Sequence, residues 1–96
     1  MKVAELQKKI EPVLRSHGIE RAAVFGSVAR GDAREDSDID ILITIGDAQL
    51  SLWDMEGLRD ELATRLGRSV DIVSDRAVVP AMRDSIYRDL QIVYER

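Results

Sequence analysis

Apolar residues recur along the chain at two alternating spacings. In three stretches the apolar residues recur every three or four positions, which predicts helices with one buried face. The stripes that define these helices are Val3, Leu6, Ile10, Val13 and Leu14, then Met55, Leu58, Leu62 and Leu66, then Val79, Met82, Ile86 and Leu90. Short apolar runs predict strands at 21–25, 38–45, 68–74 and 92–94. Helices alternating with strands indicate an α/β (α+β) fold, a small mixed sheet with flanking helices.

Boundary residues support the predicted helices. Ser51 and Asp54 have the spacing of a capping box at the start of the second long helix, and Gly67 is a natural stop at its end. Pro80 suits the first turn of the last helix. Pro12 lies inside the first helical pattern and removes one backbone hydrogen bond, so we expect a kink there or a helix in two pieces.

Four side chains have both a structural and a functional interpretation. His17, the only histidine, ends the first helix, where a surface or capping role is more common than catalysis. Trp53 could stack on an adenine or meet a partner protein, but packing over the helix start is the more common case. Tyr87 and Tyr94 could contact a substrate or partner, and we expect packing roles for both.

The second strand carries the first candidate site. Asp38 and Asp40 are two residues apart and therefore share one face, about 7 Å apart at Cα, while the intervening isoleucines point to the other face. Two like charges side by side repel each other unless a cation lies between them. Carboxylate oxygens select a hard ion, so the pattern predicts a Mg²⁺ or Mn²⁺ site.

A glycine and a serine after the first strand form a second part of the candidate site, which would bind phosphate beside the metal. Gly26 allows a tight turn and a close approach to a ligand, and Ser27 would open a short helix whose free N–H groups favour phosphate. Arg30 in that helix is the better candidate for phosphate charge, and Arg34 in the following loop the weaker. A phosphate cradle beside a metal site fits a nucleoside triphosphate bound as its metal complex.

A third acid, Asp71, repeats the situation of Asp40, because it too is flanked by β-branched apolar residues in a predicted strand. If the second and third strands are neighbours in suitable register, Asp71 joins Asp38 and Asp40 in one cluster. An exposed acid at the edge of a strand is the alternative interpretation. Asp75 lies just past the strand and is the weaker candidate for a third ligand.

Two competing motifs are excluded because residues that they require are absent. Gly26 and Gly31 have the glycine spacing of a P-loop, but Asp32 and Ala33 stand where Lys and Ser or Thr are required. The alternating acids that lead into the second strand match the first ligand positions of an EF-hand loop. Ile41 then stands where that loop requires a glycine, so a calcium loop is excluded as well.

Composition limits the classes of protein. A formal net charge of −4 and a pI near 4.9 argue against extended contact with nucleic acid. There is no cysteine, which excludes disulfides and thiol chemistry. No apolar run reaches transmembrane length and no signal-peptide pattern precedes the first helix, so we expect a cytoplasmic protein that does not bind membranes. The 96 residues suit one domain.

The run from Gly26 to Ile43 resembles the signature of the DNA polymerase β-type nucleotidyltransferase superfamily, with ten residues between Ser27 and Asp38. Its Gly-Ser-Val-Ala-Arg-Gly and Ser-Asp-Ile-Asp segments are most similar to the minimal nucleotidyltransferases (MNT) of HEPN/MNT toxin–antitoxin pairs. The resemblance implies the polymerase β-type fold and a single minimal nucleotidyltransferase domain over residues 1–96. It also implies the catalytic residues and ligands of two Mg²⁺ ions, Asp38, Asp40 and Asp71, and the nucleotide-binding residues, Gly26, Ser27 and Arg30.

The same resemblance implies an activity and a partner. MNT proteins are antitoxins that transfer AMP from ATP onto a tyrosine of a partner HEPN toxin, an RNase, and thereby silence it. We therefore expect a Mg²⁺-dependent protein adenylyltransferase with ATP as its substrate. Two alternatives stay open, an antitoxin that neutralises its partner by binding alone and a transferase for a small-molecule hydroxyl.

Overall fold

The fold is built on a four-stranded mixed sheet. In the computed structural model, which describes residues 2–47 and 49–96, the strands lie in the order β3-β2-β1-β4. Their bounds are β1 (Arg21–Phe25), β2 (Ile39–Thr44), β3 (Val70–Ser74) and β4 (Gln91–Glu95). β1 pairs antiparallel with β2 and β4, whereas β2 and β3 are parallel. The predicted mixed sheet is confirmed, and each strand begins and ends within two residues of its expected bounds.

The described residues also form four helices, α1 (Val3–Ser16), α2 (Gly26–Arg30), α3 (Leu52–Leu66) and α4 (Pro80–Tyr87). The two long helices, α1 and α3, contact each other, and their buried stripes join the sheet in one core. A single 3₁₀ turn at Asp75–Ala77 links β3 to the segment before α4. None of the helices in the described part of the chain is long and apolar enough to cross a membrane.

The two faces of β2 have opposite characters. Ile39, Ile41 and Ile43 are fully buried in the core, on the face covered by the long helices. Asp40 and Leu42 take the other face, where Leu42 lies with Tyr87 and other residues around a small cavity of about 100 Å³. Because side chains alternate along a strand, burial of the isoleucines determines where Asp40 points.

α1 is one uninterrupted helix, so the alternative of a helix in two pieces at Pro12 is wrong. The buried stripe that contains Leu6, Ile10 and Leu14 runs along the helix and anchors it on both sides of the proline. Pro12 itself is exposed, and the carbonyl group that lacks its N–H partner can bond water instead.

The start of α3 confirms one prediction and contradicts another. The Ser51 hydroxyl accepts from the Asp54 N–H at 3.1 Å, and the Asp54 carboxylate accepts from the Ser51 N–H at 2.9 Å, which completes the capping box. Trp53 is 85% exposed, so the prediction that it packs over the helix start is wrong. Trp53 lies in the first turn of α3, before the buried stripe that begins at Met55. The capping box fixes the start of the helix so that the Trp53 side chain is exposed to solvent.

The surroundings of His17, Tyr94 and Tyr87 test the roles expected of these residues. His17 is the C-cap of α1, and its ring Nε2 lies 2.8 Å from a carboxylate oxygen of Glu61 on α3, which confirms the capping interpretation. Tyr94 is buried in the core, as predicted. Tyr87 keeps 46% exposure at the end of α4, so the expected packing role holds for only part of this residue.

Candidate active site

The sheet topology brings the predicted site residues to one end of the sheet. Phe25, the last residue of β1, pairs with Asp40, so the turn at Gly26 begins directly beside this carboxylate. On the other side of β2, Asp40 is in register with Asp71 of the parallel strand β3. Two strand pairings therefore gather the glycine turn and two acids that lie far apart in sequence.

Gly26 and Asp40 lie in direct contact. The backbone of Gly26 has φ of +72°, a conformation that side chains disfavour. A Cβ atom built on Gly26 would lie 2.5 Å from the Oδ2 atom of Asp40, closer than a Cβ can approach. Glycine is therefore favoured here twice, for the turn and because a Cβ would force the Asp40 carboxylate to move.

Asp38, Asp40 and Asp71 form an acidic cluster at this end of the sheet. Asp38 lies immediately before β2 and is exposed, Asp40 is half-buried, and Asp71 is exposed on β3. Burial raises the pKa of the Asp40 carboxyl, and the charges of Asp71 and Asp38 raise it further. Arg30 acts in the opposite direction but does not cancel these effects. The cluster thus holds negative charge that a cation would stabilise.

The donor set of the cluster fits a hard divalent cation. All its polar atoms are carboxylate oxygens, which Mg²⁺ and Mn²⁺ prefer. Across residues 2–47 and 49–96, no three His, Cys, Asp or Glu side chains are gathered closely enough to hold a metal ion together. The charges of Asp38 and Asp71 reach Asp40, but the three carboxylates would have to move closer together to share one ion. Asp75 begins the 3₁₀ turn past β3, about 13 Å along the strand from Asp71.

The turn after β1 confirms the predicted short helix, with one difference. α2 begins at Gly26, one residue before Ser27, and ends at Arg30, with Gly31 as its C-cap at φ of +82°. Val28 is buried and anchors α2 to the core. Ser27 is partly buried in the first turn, and its carbonyl oxygen accepts the N–H of Asp32 at 3.0 Å. The turn is therefore held both by the burial of Val28 and by the hydrogen bond between Asp32 and Ser27.

Arg30 is engaged by two carboxylates. Its Nε lies 3.2 Å from an oxygen of Asp32, and its Nη1 lies 3.4 Å from an oxygen of Asp89. Hydrogen bonding to Asp32, followed by its charge, raises the pKa of the Arg30 guanidinium. Since the pairs are exposed, a phosphate could compete for the guanidinium. Sequence reasoning missed Asp89, which follows α4 and carried no signal of its own.

Another arginine, which sequence reasoning missed, holds the loop before β2. Arg68, between α3 and β3, donates from Nη2 to the carbonyl oxygens of Arg34 and Ser37. The weaker phosphate candidate, Arg34, thus contributes a backbone carbonyl to this contact. An isolated arginine before a strand gives no indication of such a contact, because its partners lie more than thirty residues away.

A glycine turn set against an acid pair on a mixed sheet, with a third acid on the neighbouring strand, defines the class of polymerase β-type nucleotidyltransferases. The family model of polymerase beta nucleotidyltransferases matches residues 8–96, and the chain belongs to this family. The family resemblance and the predicted fold are thereby confirmed.

Individual relatives agree with this family. The protein adenylyltransferase MntA of Thermococcus cleftensis is 32% identical over 94 residues, which cover 90% of this chain and 94% of the relative. A Methanocaldococcus jannaschii protein, provisionally named a protein adenylyltransferase, is 40% identical over 89 residues and covers 93% and 95% of the two chains. A chain in the crystal structure of a toxin–antitoxin with AMP-PNP is 25% identical, with a TM-score of 0.81 over 94% of this chain and 73% of that one.

Replacing Gly26 tests the contact with Asp40. Gly26→Ala and Gly31→Ala both force alanine into a left-handed conformation, which costs about 1–2 kcal/mol. Only the Gly26 variant also collides with Asp40, since a Cβ on Gly31 meets nothing within 4 Å. We expect Gly31→Ala to lower the melting temperature through backbone strain alone and Gly26→Ala to lower it further, because the Asp40 carboxylate must also move. Equal losses in melting temperature in the two variants would contradict the close contact.

Replacing Asp71 tests the repulsion within the acidic cluster. Without metal, we expect Asp71→Asn to raise the free energy of unfolding by about 0.2–1 kcal/mol at neutral pH. The raised pKa of Asp40 means that the folded state binds this proton more readily than the unfolded state, so ionisation of Asp40 disfavours folding as pH rises. The gain should therefore be smaller at an acidic pH than at neutral pH, because protonation of Asp40 removes the charge that Asp71 repels.

Urea unfolding at both pH values measures this difference. Asp75→Asn is the matched control, because Asp75 lies at the other end of β3 and should give no such pH-dependent gain. A lower stability of Asp71→Asn at neutral pH would mean that Asp71 stabilises the fold instead of repelling its neighbours.

Proposed function

We propose that this chain is a Mg²⁺-dependent nucleotidyltransferase that moves AMP from ATP onto a tyrosine hydroxyl of a partner HEPN toxin, and so acts as its antitoxin. The observation that carries the proposal is the contact of the Gly26 turn with Asp40, in register with Asp71. Relatives named protein adenylyltransferases support protein as the acceptor, and the toxin–antitoxin neighbour with AMP-PNP supports an adenine nucleotide as the donor.

Each part of the site has a task in this reaction. The turn at Gly26 and Ser27 holds the outer phosphates of ATP, because its backbone approaches a ligand without a side chain in between. Asp38, Asp40 and Asp71 would hold the metal, and a bound Mg²⁺ would neutralise charge on the phosphate oxygens and on the departing pyrophosphate. Arg30 adds positive charge near the phosphates after exchanging one of its carboxylate partners for them.

The transfer itself is a single displacement at phosphorus. The oxygen of the tyrosine hydroxyl forms a bond to the α-phosphorus of ATP, and the bond from that phosphorus to the bridging oxygen of the β-phosphate breaks. Pyrophosphate leaves, AMP remains on the tyrosine, and the hydroxyl proton passes to a carboxylate of the acidic cluster. The reaction draws on cellular ATP, which is consistent with the predicted cytoplasmic location.

Mass spectrometry of the partner tests the proposal. The chain is co-expressed with the HEPN protein proposed as its partner, and the partner is purified and weighed intact. We expect the wild-type chain to add AMP to a tyrosine of the partner. Asp40→Asn should abolish the addition, since removing one interaction with a charged group in a transfer site commonly slows the reaction by a hundredfold or more, roughly 3 kcal/mol.

The control variant is Asp75→Asn, which lies outside the acidic cluster and should add AMP as the wild type does. Growth of the expressing cells separates the enzyme from an antitoxin that acts by binding alone. If Asp40→Asn still protects cells although its partner carries no AMP, neutralisation occurs by binding. If the wild type leaves every partner tyrosine unmodified, the transferase assignment is wrong.

A further inference from the structure

We infer that Arg68 is a positioning residue, which holds the loop before β2 and thereby sets where Asp38 lies relative to Asp71. The inference rests on the proposed function, because it concerns how two acids of that site are arranged. Arg68 itself touches neither acid in the contacts described. It acts through the backbone of the loop at residues 31–37, which leads from α2 to Asp38.

The contacts of Arg68 are short and charge-assisted. Its Nη2 donates to the carbonyl oxygen of Arg34 at 2.6 Å and to that of Ser37 at 2.7 Å. Hydrogen bonds with an ionised donor are stronger than neutral ones. Ser37 immediately precedes Asp38, so the second bond fixes the peptide unit from which the Asp38 side chain departs.

The first half of the loop is held without Arg68, since the Asp32 N–H donates to the Ser27 carbonyl at 3.0 Å and Ala33 packs against the core. In the second half, the N–H of Arg34 donates to the Ser37 hydroxyl at 3.0 Å, and the N–H of Ser37 donates to the Arg34 carbonyl at 3.1 Å. These bonds close the turn but do not attach it to the sheet. The second half is attached by Arg68 and, just beyond Asp38, by the Ile39 N–H, which donates to the Ser69 carbonyl at 2.9 Å. Both lead to the segment that enters β3.

That segment also carries Asp71, three residues after Arg68. It leaves α3 at Gly67, whose left-handed conformation turns the chain towards β3. The short segment 68–71 therefore carries Asp71, one acid of the cluster. It also carries Arg68, which holds the loop that leads to Asp38, another acid of the cluster. A shift of Arg68 would change the separation of Asp38 and Asp71 directly.

The Arg68 side chain is partly enclosed by the protein, and its Nε atom is buried. This enclosure limits where the guanidinium can lie, so its two bonds to the loop are held in place. Arg76 makes a comparable bond, from Nη2 to the Gly46 carbonyl at 2.6 Å, at the opposite end of the parallel strands.

Three variants test the inference, Arg68→Ala, Arg68→Lys and Arg76→Ala. Hydrogen exchange of the backbone amides at 34–39 is measured without ligand, and AMP transfer to the partner is measured at varied Mg²⁺-ATP. We expect Arg68→Ala to speed exchange of these amides at least tenfold and to lower kcat/KM by roughly ten- to a hundredfold, as misplacement of a reacting group does. Arg68→Lys should recover part of both losses, because an ammonium can donate to both carbonyls.

Arg76→Ala is the matched control, since it removes an arginine–carbonyl contact remote from the acidic cluster. It should leave exchange at 34–39 and kcat/KM unchanged. Unchanged exchange and kinetics in a folded Arg68→Ala variant would overturn the inference, as would equal losses in Arg76→Ala. If Arg68→Ala does not fold, Arg68→Lys decides by the same two measurements. Absence of transfer by the wild type would contradict the proposed function. Amide exchange would still test whether Arg68 holds the loop.

Discussion

The alternation of isoleucine and aspartate in β2 is the constraint on which the fold and the site both depend. Burial of Ile39, Ile41 and Ile43 contributes about 1.5–3 kcal/mol for each side chain. Repulsion between neighbouring carboxylates costs about 0.2–1 kcal/mol per pair. The core therefore determines the register of β2, and the acids are held together although they repel each other. A slip by one residue would bury Asp40 and expose the isoleucines.

This constraint extends to the neighbouring strands. β1 ends opposite Asp40, which brings Gly26 against its carboxylate, and β3 runs parallel in a register that places Asp71 beside it. The site thus lies where one strand ends and two others begin. Its negative charge is a consequence of how the hydrophobic core is assembled, and a cation bound there would relieve the repulsion.

Local sequence patterns were sufficient to predict most of this arrangement. The period of the apolar residues determined the elements, and the spacing of Asp38 and Asp40 placed them on one face without knowledge of the fold. Asp71 required one further condition, the pairing of β2 with β3, which the sequence suggested and the structure confirms. The capping box at Ser51 was predictable because all its partners lie within one helical turn.

Contacts between distant residues could not be predicted in the same way. The bond between Arg30 and Asp89 joins residues 59 positions apart, and those of Arg68 join residues more than thirty positions apart. None of these three contacts has a periodic signal, because each depends on how complete elements pack. Trp53 shows the limit of residue preferences, since its exposure follows from its place before the buried stripe of α3 and not from its hydrophobicity.

The central claim is that the acidic cluster and the Gly26 turn bind a triphosphate and a divalent cation as one unit. Calorimetric titration of ATP, with Mg²⁺ present and then with Mg²⁺ removed by a chelator, tests it most directly. We expect Mg²⁺ to tighten ATP binding at least tenfold, a coupling of about 1.4 kcal/mol, and Asp40→Asn to abolish this difference. ATP that binds the wild type equally tightly with and without a divalent cation would contradict the account.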